Sequence, residues 1–297
     1  MTGIIFKALS GFYYVEAAEG VTVECRPRGK FRKLHISPLV GDRVEFSMSG
    51  EKGVIEEILP RKNCFVRPAV ANIEQLIILA ANVNPVTDPY LIDRITAIAA
   101  HNRADSVICV NKCDMDRGDR LYDIYSAAGF QTIRTSAVTG EGLDELRAVM
   151  SGRVSAFTGN SGVGKSSILN CLEPSFSIKT GEVSDKLGRG RHTTRHVELY
   201  RLSDGSVVMD TPGFSAFDTD YAEHIAKEDL QVCFTDFVPY IGDCQYRNCA
   251  HIKERGCAVL AALENGDIVR SRYDSYLRLY DTAKQVKDWE LKPKSEK

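Results

Sequence analysis

The opening stretch of the chain alternates apolar and polar positions in short runs. Residues 4–8, 12–16, 21–25, 43–46 and 54–58 each repeat with a period of two, the spacing of half-buried strands. Glycines at 11, 20, 29, 41 and 53 punctuate them. Short strands at even spacing predict a small β-barrel. Five strands suit an OB-fold, and a small SH3-like or sandwich domain meets the same pattern.

The pattern then changes to alternating strands and helices. Residues 75–81 are predicted to form a buried strand, with an unbroken apolar run over 76–81 as burial on both faces requires. Asp88-Pro89 supplies an N-cap and an N1 proline for a helix with Leu91, Ile92, Ile95, Ile98 and Ala99 on one face. Further strands are predicted over 107–110, 132–135 and 154–158, and helices over 120–128, over 143–150 and from Lys165. A hairpin is predicted from 197–202 and 207–209, turning at Ser203-Asp204-Gly205. This is an α/β nucleotide-binding pattern. Residues 175–196 interrupt it with Gly, Lys, Arg and Thr and little apolar periodicity, which predicts a long loop, functional or mobile. From about residue 222 the chain turns helical and cysteine-bearing, ending in a charged tail expected to fray.

A chain of 297 residues can carry two or three domains with their own cores. The apolar run 76–81 is far too short to span a bilayer, and Lys7 interrupts the short apolar stretch over 3–6. Nine scattered cysteines, an odd number, point to a reducing compartment in which clustered thiols bind metal. A cytoplasmic protein is therefore expected. The formal net charge of −2 excludes nucleic-acid binding driven by bulk electrostatics, so such a role must rest on local patches. Arg26, Arg28, Lys30, Arg32 and Lys33 form one, with Phe31 among them, in what reads as a barrel loop. It suits RNA phosphates with a base stacked on the ring, or simply a solvated charged loop.

Candidate chemistry concentrates in four motifs. Gly159-Asn160-Ser161-Gly162-Val163-Gly164-Lys165-Ser166 follows a strand and opens a helix, the setting of a phosphate-binding P-loop. Its glycines turn backbone N–H groups toward phosphate, Lys165 neutralises the β- and γ-phosphates, and Ser166 ligates Mg²⁺. Ser167 completes the segment. Asp210-Thr211-Pro212-Gly213 ends a strand about fifty residues later. Asp210 there suits a water-mediated Mg²⁺ contact and the Gly213 N–H a γ-phosphate contact. Asn111-Lys112-Cys113-Asp114 carries guanine specificity. The Asp114 carboxylate can accept from guanine N1–H and the 2-amino group, whereas adenine would leave it unpaired. The Lys112 stem could cover the base, Asn111 could tie neighbouring loops, and a backbone N–H at Ser136-Ala137 could meet guanine O6. Finally, Cys244, Cys249, His251 and Cys257 lie within fourteen residues and match a closed Cys₃His zinc site.

The guanine motif precedes the P-loop, the reverse of an ordinary small GTPase. The helix over 143–150 runs into the P-loop strand through Ser151-Gly152-Arg153, so natural ends that lie close are joined and a new cut falls after the DTPG segment. Gly190-Arg191-His192-Thr193-Thr194 reads as a first switch loop, in which Thr193 or Thr194 completes the Mg²⁺ shell. Phe214 stands where many GTPases carry a water-orienting Gln. Slow intrinsic hydrolysis is expected, with His192 the nearest candidate for that role.

Motif order, switch sequence and metal spacing together resemble the ribosome small-subunit-dependent GTPases, the RsgA/YjeQ family of circularly permuted bacterial GTPases. The resemblance runs from the barrel and its ILPRKN exit through NKCD, TSA, GNSGVGKSS, GRGRHTT and DTPGF to the cysteine cluster. It implies a multidomain chain: an OB-fold over 1–68, a circularly permuted α/β P-loop GTPase domain over 69–222, and a helical zinc-binding domain over 223–297. It further implies GTP/GDP with Mg²⁺, one structural Zn²⁺, and the small ribosomal subunit and its rRNA as partner in late maturation, with hydrolysis stimulated by the subunit. A monomer with no membrane partner is expected. The contrasting reading is a nucleic-acid-binding module in which GTP only stabilises the fold.

Overall fold

The computed structural model describes residues 1–17, 20–66, 68–176, 197–210 and 225–286, with Asp210 described by its backbone alone. His192, Thr193, Thr194, Gly213 and Phe214 lie outside the described residues. The chain forms two compact units, one made of residues 1–74, 150–157 and 182–214, the other of 75–149, 158–181 and 215–297.

In the first unit, β1 (Thr2–Leu9), β2 (Phe12–Ala17), β3 (Thr22–Pro27), β4 (Arg43–Ser49) and β5 (Lys52–Ile58) pair in a ring. β1 pairs with β2 and β4, β2 with β3, β3 with β5 and β5 with β4. The barrel is closed, five-stranded and of Greek-key connectivity, as an OB-fold requires. Period-two alternation sends Val23 and Cys25, Val44 and Phe46, and Ile55 inward, all buried. A short helix, α1 (Gly29–Lys33), occupies the expected basic loop. Here the structure corrects the sequence reading: Phe31 is buried, so its ring cannot stack on a base. The accessible ring nearby is that of Phe12, with Arg26 4.4 Å and Lys52 5.2 Å above its centroid. Arg28 is paired with Glu56 at 2.7 Å.

The barrel's exit segment is a fastening. The Arg61 guanidinium forks onto buried Asp42, Nε to Oδ1 at 2.7 Å and Nη2 to Oδ2 at 2.8 Å. Asn63 exchanges both amide bonds with the backbone of Ile73. Two strands that the sequence pattern did not reveal, β6 (Cys64–Val66) and β7 (Ala69–Ala71), form a hairpin there.

Unit two holds a parallel sheet of β8 (Gln75–Ala81), β9 (Asp105–Asn111) and β10 (Gln131–Arg134) in the order β10-β9-β8. Helix α2 (Pro89–His101) starts where Asp88 accepts from the Tyr90 N–H, with Pro89 at N1. Helices α3 (Asp119–Ala127) and α4 (Leu143–Met150) complete the alternation of strands and helices. Strand β11 (Val154–Gly159) leads through the P-loop into α5 (Lys165–Leu172). In the first unit, the expected hairpin appears as β12 (Glu198–Arg201) and β13 (Val207–Asp210), with β13 parallel to β11.

The C-terminal helices are α6 (Lys227–Cys233), α7 (Ala258–Asn265) and α8 (Arg270–Ala283). Arg272 on α8 is fully buried. Its Nη1 donates to Asp93 Oδ1 at 2.9 Å and its Nη2 to Asp236 Oδ1 at 2.5 Å. Phe130 and Phe234 place their rings 5.0 and 4.8 Å from the guanidinium carbon. The Tyr125 hydroxyl on α3 lies 2.9 Å from both Asp93 Oδ1 and the Pro89 carbonyl. Burial works against the Arg272 charge, but Asp93 and Asp236 outweigh it and hold the group above the ordinary arginine range. Arg272→Ala would strand two carboxylates and is expected to destabilise this unit by about 3–5 kcal/mol, read as a lower urea midpoint. Replacing Arg272, Asp93 and Asp236 together by apolar residues should cost far less.

Candidate nucleotide and metal sites

The P-loop depends on backbone conformations that side chains resist. Gly159 has φ +137° and Gly164 φ +104°. A Cβ on Gly159 would lie 2.2 Å from the Leu79 carbonyl oxygen, and one on Gly164 2.3 Å from Asn111 Nδ2, so neither position admits a side chain. Lys165 donates to the Gly159 and Asn160 carbonyls at 2.7 and 2.8 Å. Burial lowers its ammonium to about 8. Val163 is buried, Ser166 and Ser167 are half-buried and Ser161 is exposed.

Asn111 sits at the end of β9 and is buried. Its Nδ2 donates to the Val163 carbonyl at 2.8 Å, and its Oδ1 accepts from the Thr135 hydroxyl at 3.2 Å. One amide therefore joins the guanine motif, the P-loop and the segment after β10. Asp114 Oδ1 accepts from the Ser136 hydroxyl at 2.5 Å. That hydroxyl oxygen also lies 3.2 Å from the Val138 and Thr139 N–H groups. The Ser136 side chain thus orients Asp114, a contact beyond the backbone role that the sequence suggested. The Ala137 carbonyl receives Cys171 Sγ at 3.4 Å. Lys112 has φ +65° and its ammonium donates to the Asn84 carbonyl.

Cys244, Cys249, His251 and Cys257 bring four donor atoms within 4.8 Å of one another. Tetrahedral zinc implies S···S separations of roughly 3.8 Å and S···N of roughly 3.6 Å. Cys244 Sγ lies 3.9 Å from Cys257 Sγ and 3.6 Å from His251 Nδ1, and Cys257 Sγ lies 3.4 Å from that nitrogen. These residues could hold a zinc ion. The surroundings fit as well. His251 Nε2 lies 2.8 Å from Gln231 Oε1, which selects the tautomer with a free Nδ1 lone pair. The Ala258 and Leu260 N–H groups point at Cys244 and Cys257 Sγ from 3.3 and 3.4 Å, as thiolate ligands need. From α8, the Tyr273 and Tyr276 hydroxyls donate to the His251 and Ala250 carbonyls at 2.8 and 2.9 Å and fix the loop. Gln231 and these tyrosines carry no local signal, because only the fold brings them to the cluster.

Family models match on both sides of the barrel exit: RsgA N-terminal domain over residues 2–55 and RsgA GTPase over residues 58–220. The chain belongs to the RsgA GTPase family. Curated relatives match over nearly the whole length. The small ribosomal subunit biogenesis GTPase RsgA of Geobacillus thermodenitrificans is 47% identical over 292 residues, 96% of this chain and 98% of that protein. The RsgA of Caldanaerobacter subterraneus is 46% identical over 287 residues, 95% and 96% of the two chains. The crystal structure of YjeQ from Thermotoga maritima matches with TM-score 0.82 at 33% identity, covering 96% of this chain and 99% of that one. YloQ, described as a circularly permuted GTPase, matches with TM-score 0.79 at 33% identity over 99% and 96%. RsgA-family membership accords with the reversed motif order. No helix among the described residues is long and apolar enough to cross a membrane.

Two outcomes follow for this RsgA-family chain. A zinc ion held by this cluster would carry the folding free energy of such a loop, so a strong chelator should unfold the cluster region. Metal analysis should give one ion per chain, and re-addition of zinc should restore the lost helical signal. A Lys165 that meets nucleotide phosphate would be favoured in its protonated form, and its protonation constant would then rise on binding. Affinity should then decline as pH climbs above about 8, with proton uptake on binding between that value and the higher bound-state value. Calorimetry in two buffers of different ionisation enthalpy measures the uptake.

Proposed function

We propose that this chain hydrolyses GTP to GDP and phosphate and acts on the small ribosomal subunit as a checkpoint late in its assembly. The observation that carries the reading is the Asn111 amide, which holds an NKxD segment against a P-loop in the permuted order. The family model and the names of the curated relatives support the same role. In this reading Asp114 selects guanine, the N–H groups over 159–167 and Lys165 hold the phosphates, and Ser136-Ala137 borders the base. Ser166, with Thr193 or Thr194, would ligate Mg²⁺, which neutralises charge building on the phosphates. Asp210 and Gly213 would respond to the γ-phosphate, and His192 would orient the attacking water. The barrel over 1–68 and the zinc-binding region over 223–297 flank the GTPase segment 69–222 and supply rRNA contacts. The protein works as a cytoplasmic monomer.

The decisive experiment measures GTP turnover with and without purified small subunits across a salt series. Subunits should accelerate hydrolysis, and an rRNA contact held by phosphates should weaken steeply with salt. In the stimulated reaction His192→Ala should lower the rate by about tenfold or more. Turnover indifferent to subunits would sink the checkpoint reading, and an unchanged His192 variant would remove that residue alone.

A further inference from the structure

The segment between β8 and α2 belongs to none of the nucleotide motifs, yet it is fastened to two of them. Its base is closed by two bonds, the Ala81 N–H to Thr87 Oγ1 at 3.0 Å and the Thr87 N–H to the Ala81 carbonyl at 2.8 Å. From that base the Asn82 side chain donates to Asp116 Oδ1 at 3.1 Å, two residues beyond the guanine-reading Asp114. Asp116 Oδ1 also accepts from the Gly118 N–H at 2.8 Å, so the carboxylate is held in place. The Asn84 carbonyl accepts the Lys112 ammonium. Pro85 packs against the P-loop: a Cβ built on Gly162 would lie 3.6 Å from Pro85 Cδ. The segment itself is poorly buried, with Asn84 and Val86 exposed. Core packing therefore does not order it, and the polar fastenings do.

Lys112 stands in the left-handed region, which a non-glycine residue keeps only where its surroundings hold it. The Met115 and Asp116 N–H groups bond to the Lys112 carbonyl at 2.9 and 3.1 Å and supply that hold. The lysine stem consequently runs from the guanine motif to a loop that rests on the P-loop. A free lysine stem has large rotamer entropy to lose when it packs on a base. Fixing the ammonium in advance removes that cost.

We propose that the loop of residues 82–86 is a positioning element for guanine binding, holding the Lys112 side chain across the nucleotide site before the base arrives, with Asn82 the residue that fixes the loop. The inference rests on the guanine-nucleotide reading above and deepens it. It assigns affinity for the base, not for phosphate, to a connector outside every nucleotide motif.

The test uses the full-length protein, with fluorescent GDP for dissociation rates and inorganic pyrophosphate as a competitor that reports the P-loop alone. Asn82→Ala should accelerate GDP dissociation by about three- to tenfold, the range for one lost hydrogen bond, with pyrophosphate affinity unchanged. Asn82→Asp keeps the size of the side chain but removes the donor and sets a second carboxylate against Asp116, so it should accelerate GDP dissociation at least as much as Asn82→Ala. Unchanged GDP dissociation in Asn82→Ala overturns the proposal. So does an equal loss of pyrophosphate binding, or unchanged GDP dissociation in Asn82→Asp, which also decides the matter if the alanine variant fails to fold. Wild-type protein that binds no GDP overturns the guanine reading itself, an outcome distinct from all of these.

Discussion

One buried charge organises the second unit. Arg272 has no water to solvate it, so it must keep both Asp93 and Asp236 within bonding distance. That requirement fixes α8 against α2. The residues next along α8 then acquire fixed positions, and their hydroxyls hold the backbone of the cysteine-bearing loop. On the other side, Asp93 and Pro89 share Tyr125, which fixes the start of α2 against α3. A single guanidinium thus sets the placement of the cysteine cluster and of the helix that follows the Lys112 anchor. Such a group is costly to desolvate, and it gives the packing one register where an apolar contact would tolerate several.

The nucleotide half solves a different problem. Its loops come from separate places in the chain, and permutation has exchanged their order without changing what must meet. Asn111 joins them because an amide offers a donor and an acceptor on one rigid plane. A carboxylate there could not donate to the Val163 carbonyl, and a hydroxyl could not span both partners. Family membership and motif order are matters of chain connectivity, whereas this contact is a matter of local geometry, and the two are independent.

Much of this was legible beforehand, and the reason is periodicity. Alternation exposed the barrel strands, unbroken apolar runs exposed β8, and Asp88-Pro89 exposed the start of α2, because each is a local consequence of burial or capping. The P-loop, the guanine motif and the cysteine cluster were legible because their spacing is fixed by a ligand's size. Contacts between residues distant in sequence were not. Nothing local marks Arg272 as buried, since arginine usually faces water. Asp42 and Arg61 are nineteen positions apart, and neither has a pattern of its own. Phe31 failed in the opposite sense: flanking charges suggested exposure, while α1 turns the ring inward. Gln231 and Asn82 act through single polar contacts that no periodicity encodes.

The Asp42–Arg61 fork has a consequence for where the barrel ends. Its five strands close by Ile58, and a boundary drawn there would look natural. Yet Asp42 is inside the barrel wall with no solvent exposure, and its counter-ion lies three residues past the last strand. A piece cut at that point would contain a complete sheet around a buried carboxylate without its counter-ion, held among the described residues by the Leu39 N–H at 2.7 Å alone. The folding module therefore extends through the hairpin of β6 and β7 to the Asn63–Ile73 clasp. In this chain the unit of pairing and the unit of autonomy are different lengths, and charge neutrality sets the longer one.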